Sequence, residues 1–359
     1  MSTKKMLVLL GVLLVSAVLF TACAGPEGPA GPAGPAGPAG PAGPAGPAGE
    51  SAMMNAADLS CSECHDAAGT VSAKHQAWAL EKHGNGTAMA EEYGNKSCAF
   101  CHSGNAFSAG IAAGQNFTQL ESAPSEPARQ DCRACHQIHE TYSSADWALE
   151  TTAAVDLVVS GANFDGGNGN LCVNCHQARR YLANFAAKDE AGNVIPDTYQ
   201  ANIRFNTHLS DQSDVMLGVL DVNDILGVTG KPGGHYSMIT DTCVGCHLGE
   251  SNNHLFEAQA ANCVSCHADA TSIDINGAVT AFEEKFQELH DKLIANGILD
   301  ENGAAITKNA DGSPVLYTDP KVAAAVFVYG ALEEDASMGV HNPNYADALL
   351  DAALAALGE

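Results

Sequence analysis

The chain has 359 residues and a formal net charge of −26 at pH 7, because 42 acidic residues outnumber 16 Lys and Arg. So acidic a chain repels phosphate groups, which argues against nucleic-acid binding and against docking on an anionic membrane face. Aromatic residues make up only 6% of the sequence, whereas cysteine reaches 13 and histidine 14. We therefore expect a thin core of side chains and a cofactor that helps to fill the interior.

The amino-terminal segment has the features of an export signal. Lys4 and Lys5 precede a mostly apolar run, Met6–Phe20, which is shorter than the roughly 20 residues that a membrane-spanning helix needs. The sequence Leu-Phe-Thr-Ala-Cys that ends at Cys23 resembles the bacterial lipoprotein cleavage box, with Phe20 where Leu is usual. The resemblance implies a signal peptide over residues 1–22, lipidation of Cys23, and an outer-membrane lipoprotein, expected at the cell surface. An uncleaved membrane anchor is the alternative.

A spacer follows the signal. From Gly25 to Ala48 the chain reads Gly-Pro-Glu and then seven Gly-Pro-Ala triplets, which is the collagen pattern. A lone chain would form an extended polyproline-type stalk, whereas three chains could form a triple helix and make the protein a trimer. Residues 23–50 are therefore predicted to be a lipidated cysteine with a collagen-like spacer that holds the domain 51–359 away from the membrane.

The domain contains a motif that carries chemistry. The sequence Cys-x-x-Cys-His occurs six times between residues 61 and 267, and we number the copies motif 1 to motif 6 in chain order. The pattern is typical of c-type haem attachment, in which two thiols bond one haem and the adjacent histidine binds its iron. The attachment cysteines are Cys61 and Cys64, Cys98 and Cys101, Cys132 and Cys135, Cys172 and Cys175, Cys243 and Cys246, and Cys263 and Cys266. The motif histidines are His65, His102, His136, His176, His247 and His267.

Two other uses of paired cysteines fit the pattern less well. Zinc does not require a histidine directly after every cysteine pair, and thioredoxin-like pairs need a βαβ context that the sequence does not predict. The motifs use twelve of the 13 cysteines, which leaves Cys23 for the lipid and none for a disulfide. The sequence therefore predicts six c-type haems as cofactors.

The sixth ligand of each iron must come from elsewhere in the chain. Eight histidines lie outside the motifs, and none of the eight methionines has a comparable local context, so we expect two histidines on each iron. The candidates are His75, His83, His139, His208, His235, His254, His290 and His341. His139 is three residues from His136 and cannot bind the same iron from the opposite face, so it should bind the iron of a neighbouring haem. His254 lies between motifs 5 and 6 and should tie that pair together.

Local patterns separate some of these candidates. An amphipathic helix that ends at Gly297 carries His290, which we interpret as a residue of the helix surface. His341 precedes Asn342-Pro343, which predicts the start of a helix that runs to Leu357 and holds His341 at a rigid entrance. His75 and His83 compete for one position, and His83 is favoured.

Several stretches resemble multihaem c-type cytochromes that environmental bacteria export, and the similarity covers roughly residues 58–357. The matching patterns are Trp78-x₄-His83-Gly84, the surroundings of motifs 2, 3 and 4, His208-x₃-Gln212, and Gly339-Val-His341-Asn-Pro343. The resemblance implies iron ligation by His83, His139, His208, His235, His254 and His341. The closing helix motif is also similar to the multihaem nitrite reductase superfamily. The lipoprotein box with its stalk is similar to the amino-terminal layout of decahaem outer-membrane cytochromes of metal-respiring bacteria.

These observations predict a fold and a function. We expect a mainly α and loop architecture with little sheet, a multihaem cytochrome c domain. Because an iron with two histidines cannot readily bind a substrate, we predict an electron carrier rather than a catalyst, with no catalytic residue. Its partners would be other cytochromes or an outer-membrane conduit, and an extracellular electron acceptor.

Two alternatives stay open. One is a reductase of nitrite or a related oxyanion with one five-coordinate haem, whose substrate would be gathered by Arg179, Arg180 and Arg204. Those arginines could equally pair with haem propionates. The other alternative is a subunit of a cytochrome filament.

Overall fold

The computed structural model describes residues 70–86, 94–208, 210–249 and 252–358, all of which lie in a unit that spans Met54–Glu359. The signal segment, the Gly-Pro-Ala spacer and motif 1 fall outside the described residues. Within the described ranges, no helix has the length and apolar character that crossing a bilayer would require.

Helices carry most of the regular structure, and most of them are short. The α-helices of the described residues are α1 (Thr70–Leu80), α2 (Lys82–Asn85), α3 (Lys96–His102), α4 (Gly104–Ala112), α5 (Cys132–Cys135), α6 (Asn170–Val173), α7 (Gln212–Leu217), α8 (Asn223–Leu226), α9 (Gly234–Met238), α10 (Cys243–His247), α11 (Ala260–Cys263), α12 (Ala278–Ala295), α13 (Pro320–Asp335) and α14 (Pro343–Ala356). Single 3₁₀ turns lie at Ser144–Trp147, Gly167–Gly169, Leu182–Phe185 and Ile275–Gly277.

The described sheets are small and antiparallel. β1 (Val155–Asp156) pairs with β2 (Asn163–Phe164), and a second sheet has the order β3 (Ala186–Lys188), β4 (Val194–Gln200) and β5 (Leu316–Tyr317). The mainly helical, loop-rich architecture with little sheet is the one that the sequence predicts, and that prediction is confirmed.

The three closing helices α12, α13 and α14 form the largest core of side chains. Phe327, Leu349 and Leu350 are fully buried there. α13 is rich in alanine, so its neighbours approach closely and bury it almost all round. The predicted helix around His290 is α12, but its histidine is half-buried and its Nδ1 lies 2.9 Å from the Tyr329 hydroxyl. The surface interpretation of His290 is therefore wrong, because α13 covers that face.

The entrance to α14 is fixed by a buried asparagine. The helix begins at Pro343 after Asn342, as predicted, and ends at Ala356. However, the Asn342 side chain makes no capping hydrogen bond and instead donates to the carbonyl oxygens of Val215, Met216 and Lys231. These bonds tie the residue after His341 to the end of α7.

The region of the motifs has two much smaller cores. One contains Phe100, Phe107 and Phe117 with small residues of motifs 2 and 3 around them. The other is built on Leu157 and Phe164. Both clusters include motif cysteines among the residues packed against them, so the side-chain core in this region surrounds the motifs themselves.

Candidate functional site

Short helical turns present the cysteines of the five described motifs. α10 coincides with motif 5, α5 begins with the first cysteine of motif 3, and α3 contains motif 2. Residues three apart lie on one face of a helical turn, so each turn points two thiols to the same side. Side chains cap these turns: Asn95 accepts from the Ser97 amide ahead of motif 2, and Asp131 accepts from the Arg133 amide in motif 3. None of the ten described cysteines forms a disulfide.

Each of the five described motif histidines faces a second imidazole. The distances between ring centroids are 6.4 Å for His102 and His208, 6.3 Å for His136 and His254, 6.1 Å for His176 and His83, 6.3 Å for His247 and His341, and 6.5 Å for His267 and His235. With a metal–nitrogen bond of about 2 Å on each side, two imidazoles on opposite faces of one metal ion have centroids roughly 6 Å apart. The pairs therefore suit a metal ion held between two histidines, which is the donor set of a bis-histidine haem.

Backbone carbonyl oxygens orient four of the paired histidines. The distances from Nδ1 to oxygen are 2.8 Å for His136 and Trp147, 2.6 Å for His235 and Val340, 2.7 Å for His247 and Phe256, and 3.0 Å for His254 and Asn252. A carbonyl oxygen can only accept, so in each ring the proton sits on Nδ1 and Nε2 keeps its lone pair for a metal.

Three more paired histidines are oriented by side-chain oxygens. Nδ1 lies 2.6 Å from Asp335 Oδ1 in His341, 3.0 Å from Glu81 Oε2 in His83, and 3.1 Å from Gln212 Oε1 in His176. The Gln212 amide in turn donates to the carbonyl oxygens of Glu334 and Asp335 at the end of α13, which points its own oxygen at His176. The closing helices thus orient histidines of two motifs although they contain no motif.

Charges around these rings have opposite effects on their protonation. Burial works to lower the pKa of His341, but the charge and hydrogen bond of Asp335 outweigh it and the pKa is raised. Burial first, and then the charge of Arg180, lowers the pKa of His208 to about 4. Burial first, and then His83, lowers the pKa of His176 to about 4. His176 and His208 are therefore neutral at physiological pH, the form that binds metals.

Motif 4 lies between two other motifs. The side chain of Cys172 lies against that of Cys243 in motif 5, and the side chain of Cys175 lies against that of Cys101 in motif 2. Cys135 of motif 3 belongs to the same core as Cys101 and Cys175. Groups attached to these cysteines would therefore be close neighbours.

Comparison with known proteins agrees with the chemistry of this site. Residues 48–137 match the family model of cytochrome c7 and related cytochromes c. That segment contains motifs 1 to 3, and motifs 4 to 6 lie beyond it. No curated protein matches the chain. The match and the repeated motif support a multihaem c-type cytochrome with covalently bound haem.

Two solved structures resemble the chain over most of its length. The outer cell wall cytochrome OcwA has a TM-score of 0.48 and 18% identity, over 79% of this chain and 50% of that one. The undecahaem cytochrome from the S-layer of Carboxydothermus ferrireducens has a TM-score of 0.47 and 19% identity, over 75% of this chain and 39% of that one. The chain therefore spans half or less of each of these cytochromes.

The structure places most of the predicted histidines in pairs, but one in an unexpected pair. His83, favoured over His75, faces His176 of motif 4, while the His75 ring lies 5.4 Å from that of Trp78. His254 faces motif 3, so the expectation that it ties motifs 5 and 6 together is wrong. Its loop contacts two motifs: the Phe256 carbonyl orients His247 of motif 5, whereas the His254 ring faces His136 of motif 3.

His139 faces none of the motif histidines that the structure describes. Its ring stacks on that of Tyr142 at a centroid distance of 5.3 Å, and its amide donates to the Asp146 carboxylate. His65 lies outside the described residues, so the expectation that His139 reaches a neighbouring haem stays a prediction.

The residues that orient the histidines were not predicted from the sequence. Glu81 lies two residues before His83, a spacing that could have indicated it, because a carboxylate so near a histidine often accepts from it. Asp335 is separated from His341 by a turn, and Gln212 lies 36 residues from His176. Only the fold brings each side chain to its histidine.

Proposed function

We propose that the protein is a lipid-anchored hexahaem c-type cytochrome that moves electrons through a chain of bis-histidine haems at the cell surface. The observation that carries the proposal is the pairing of every described motif histidine with a second imidazole at a centroid distance of 6.1–6.5 Å. In this proposal the five pairs ligate the haems of motifs 2 to 6. His139, the remaining member of the predicted set, serves motif 1.

Filled axial positions favour electron transfer over catalysis. An iron held by two imidazoles has no free position for a substrate, so its available chemistry is the gain or loss of one electron. The contacts of motif 4 with motifs 2 and 5 support a continuous path through the domain. The chain's own residues supply the ligands, their orientation and the charges around them.

The proposed location and partners rest on the sequence. Cys23 would carry the lipid, and the Gly-Pro-Ala spacer would hold the haem domain away from the outer membrane. Electrons would arrive from an outer-membrane conduit or another cytochrome and leave to an extracellular acceptor. The net charge of −26 suits basic redox partners or metal cations, so the transfer rates should fall as salt increases.

The reductase alternative needs a motif histidine without a facing imidazole. All five motif histidines in the described ranges have one, so motif 1 is the place where a five-coordinate haem would have to lie. Carbon monoxide added to the reduced protein tests this alternative. A high-spin fraction that binds it, amounting to one haem in six, would support a reductase.

A pair of histidine variants tests the proposed ligands. The matured full-length protein should contain six haems by mass and pyridine haemochrome assay, all low-spin by electron paramagnetic resonance. His254→Ala removes the imidazole that faces His136, so we expect one of the six low-spin signals to become high-spin. His290→Ala is the matched control, because that ring bonds Tyr329 and faces no described motif histidine. The assignment fails if both variants keep six low-spin haems, or if both lose one.

A further inference from the structure

Three motifs form a row in which motif 4 is the middle member. Its two cysteines contact different neighbours, Cys172 the first cysteine of motif 5 and Cys175 the second cysteine of motif 2. An electron can therefore pass between motifs 5 and 2 through motif 4. The direction that it favours depends on the relative potentials of the three sites.

The facing histidines of this row have different partners at Nδ1. At motif 5, His341 donates to the Asp335 carboxylate at 2.6 Å, and the Asp335 side chain is only 1% exposed. At motif 4, His83 is 3.0 Å from the Glu81 carboxylate, and both side chains are more exposed than at motif 5: 42% for His83 against 17% for His341, and 9% for Glu81. At motif 2, the partner of His208 is the Arg180 guanidinium, with Nη2 3.0 Å from Nδ1.

These partners act on a bound iron in opposite directions. A carboxylate that accepts the Nδ1 proton makes the imidazole more basic and stabilises the more positive, ferric state, which lowers the potential. Burial strengthens the effect, because water screens an exposed pair. A guanidinium cannot accept the Nδ1 proton that an imidazole carries when Nε2 binds a metal, so it gives His208 no such help, and its positive charge favours the less positive ferrous state.

The surroundings of Arg180 preserve its positive charge near His208. Its Nη1 donates to the Asn206 side chain at 2.8 Å and to the Arg204 carbonyl oxygen at 3.1 Å. Arg179 and Arg204 add charge of the same sign close to His208. The charge of Glu334 acts on Arg180, but burial raises the pKa of Glu334 to about 7, so it offsets the arginines only in part at neutral pH.

We infer that Asp335, Glu81 and Arg180 grade the potentials of the row, with motif 5 lowest, motif 4 intermediate and motif 2 highest. Electrons then run downhill from motif 5 through motif 4 to motif 2. The inference rests on the proposed ligation by His341, His83 and His208. One electron enters from a one-electron donor protein near motif 5 and leaves to a one-electron acceptor near motif 2. No bond forms or breaks and no proton needs to move.

Potentiometric titration of the matured full-length protein tests the grading. Asp335→Asn should shift the midpoint potential of motif 5 upward, and Arg180→Gln should shift that of motif 2 downward, so that the span of potentials in the row narrows from both ends. Glu81→Gln should shift an intermediate midpoint upward by less than Asp335→Asn does. Asp319→Asn, at the other end of α13, and Lys292→Gln, whose ammonium bonds the Gly358 carbonyl, are the charge-matched controls and should leave the span unchanged.

Spectra separate failure of this inference from failure of the proposed function. If a variant keeps six low-spin haems and its midpoints do not move, or move as in the controls, the grading is wrong while the ligands stand. If the unchanged protein lacks six low-spin haems, the proposed function fails first. Should Asp335→Asn not mature, Arg180→Gln and Glu81→Gln still decide, because they lie on other elements and predict shifts of opposite sign.

Discussion

The closing helices and the region of the motifs are built in different ways. In α12–α14 the interior consists of aliphatic side chains such as Leu349 and Leu350, packed against Phe327. Around the motifs themselves the buried side chains form two small clusters, and motif cysteines lie against both, whereas the stretch 182–222 between motifs 4 and 5 adds side chains such as Leu182 and Phe205 to the large core. The difference indicates that the closing helices are stabilised by their own side chains, whereas the motif region depends on what its cysteines bind.

Withholding haem should reveal the largest difference in stability between the motif region and the closing helices. A chain produced without the machinery that attaches haem loses the groups that we propose as the interior of the motif region. We expect amide protection to disappear over residues 96–176 and 234–267 and to persist in α12–α14 and in the stretch 182–222 that shares their core, as measured by hydrogen exchange with mass spectrometry. Equal protection of both regions in the haem-free chain, or equal loss, would show that the two are not built differently.

The motif region was also where the sequence was least informative about contacts. The six motifs, α12 and α14 follow from local patterns, because a turn, a cap or an apolar periodicity depends only on neighbours in the chain, whereas α13 was not predicted. Which histidine faces which motif depends on how distant loops cross. His254 shows this, because it is close to motifs 5 and 6 in sequence and opposite His136 in space.

The partners of the histidines were still harder to predict. Gln212 orients His176 only because the end of α13 holds its amide nitrogen, and no pattern links those three segments. Asn342 had the spacing of a helix cap, yet its side chain is used to join α14 to α7. A buried polar side chain bonds whatever the fold places beside it, and that choice is made by tertiary packing.

Truncation of one leucine in the closing helices tests how much their side-chain core contributes to the stability of the fold. Leu349 is fully buried, so Leu349→Ala should lower the free energy of unfolding by about 2–5 kcal/mol through lost burial and the cavity left behind. Val194→Ala is the control, because that side chain is 58% exposed and its loss should cost about 0.5 kcal/mol or less. Denaturant titrations followed by circular dichroism measure both. The low-spin haem spectrum of Leu349→Ala should be unchanged, and a high-spin signal would show that the helix core also holds the ligands rigid.

A buried acid in the motif region should give a smaller, pH-dependent effect. Burial raises the pKa of Asp214 to about 6, although its carboxylate accepts from the Ala178 amide at 2.8 Å. Between the ordinary aspartate pKa and this value, the folded chain holds a proton that the unfolded chain has released. The contribution of Asp214 is therefore fully present at acid pH and is lost as pH rises through about 6, by up to about 3 kcal/mol.

Asp214→Asn should remove that loss, because the amide oxygen can still accept from Ala178 and carries no charge to bury. The difference in free energy of unfolding between variant and unchanged protein should thus move in favour of the variant from pH 4 to pH 7. Asp311→Asn supplies the opposite case. Hydrogen bonds from Ser313 lower the pKa of the exposed Asp311 carboxyl, so the ionised carboxylate stabilises the fold. Removing that charge should therefore lower the free energy of unfolding at neutral pH and not at acid pH. If the free energies of unfolding of both variants change in the same direction with pH, burial of Asp214 does not cause the pH dependence. The motif region would then tolerate the charge of Asp214 as easily as the surface tolerates that of Asp311.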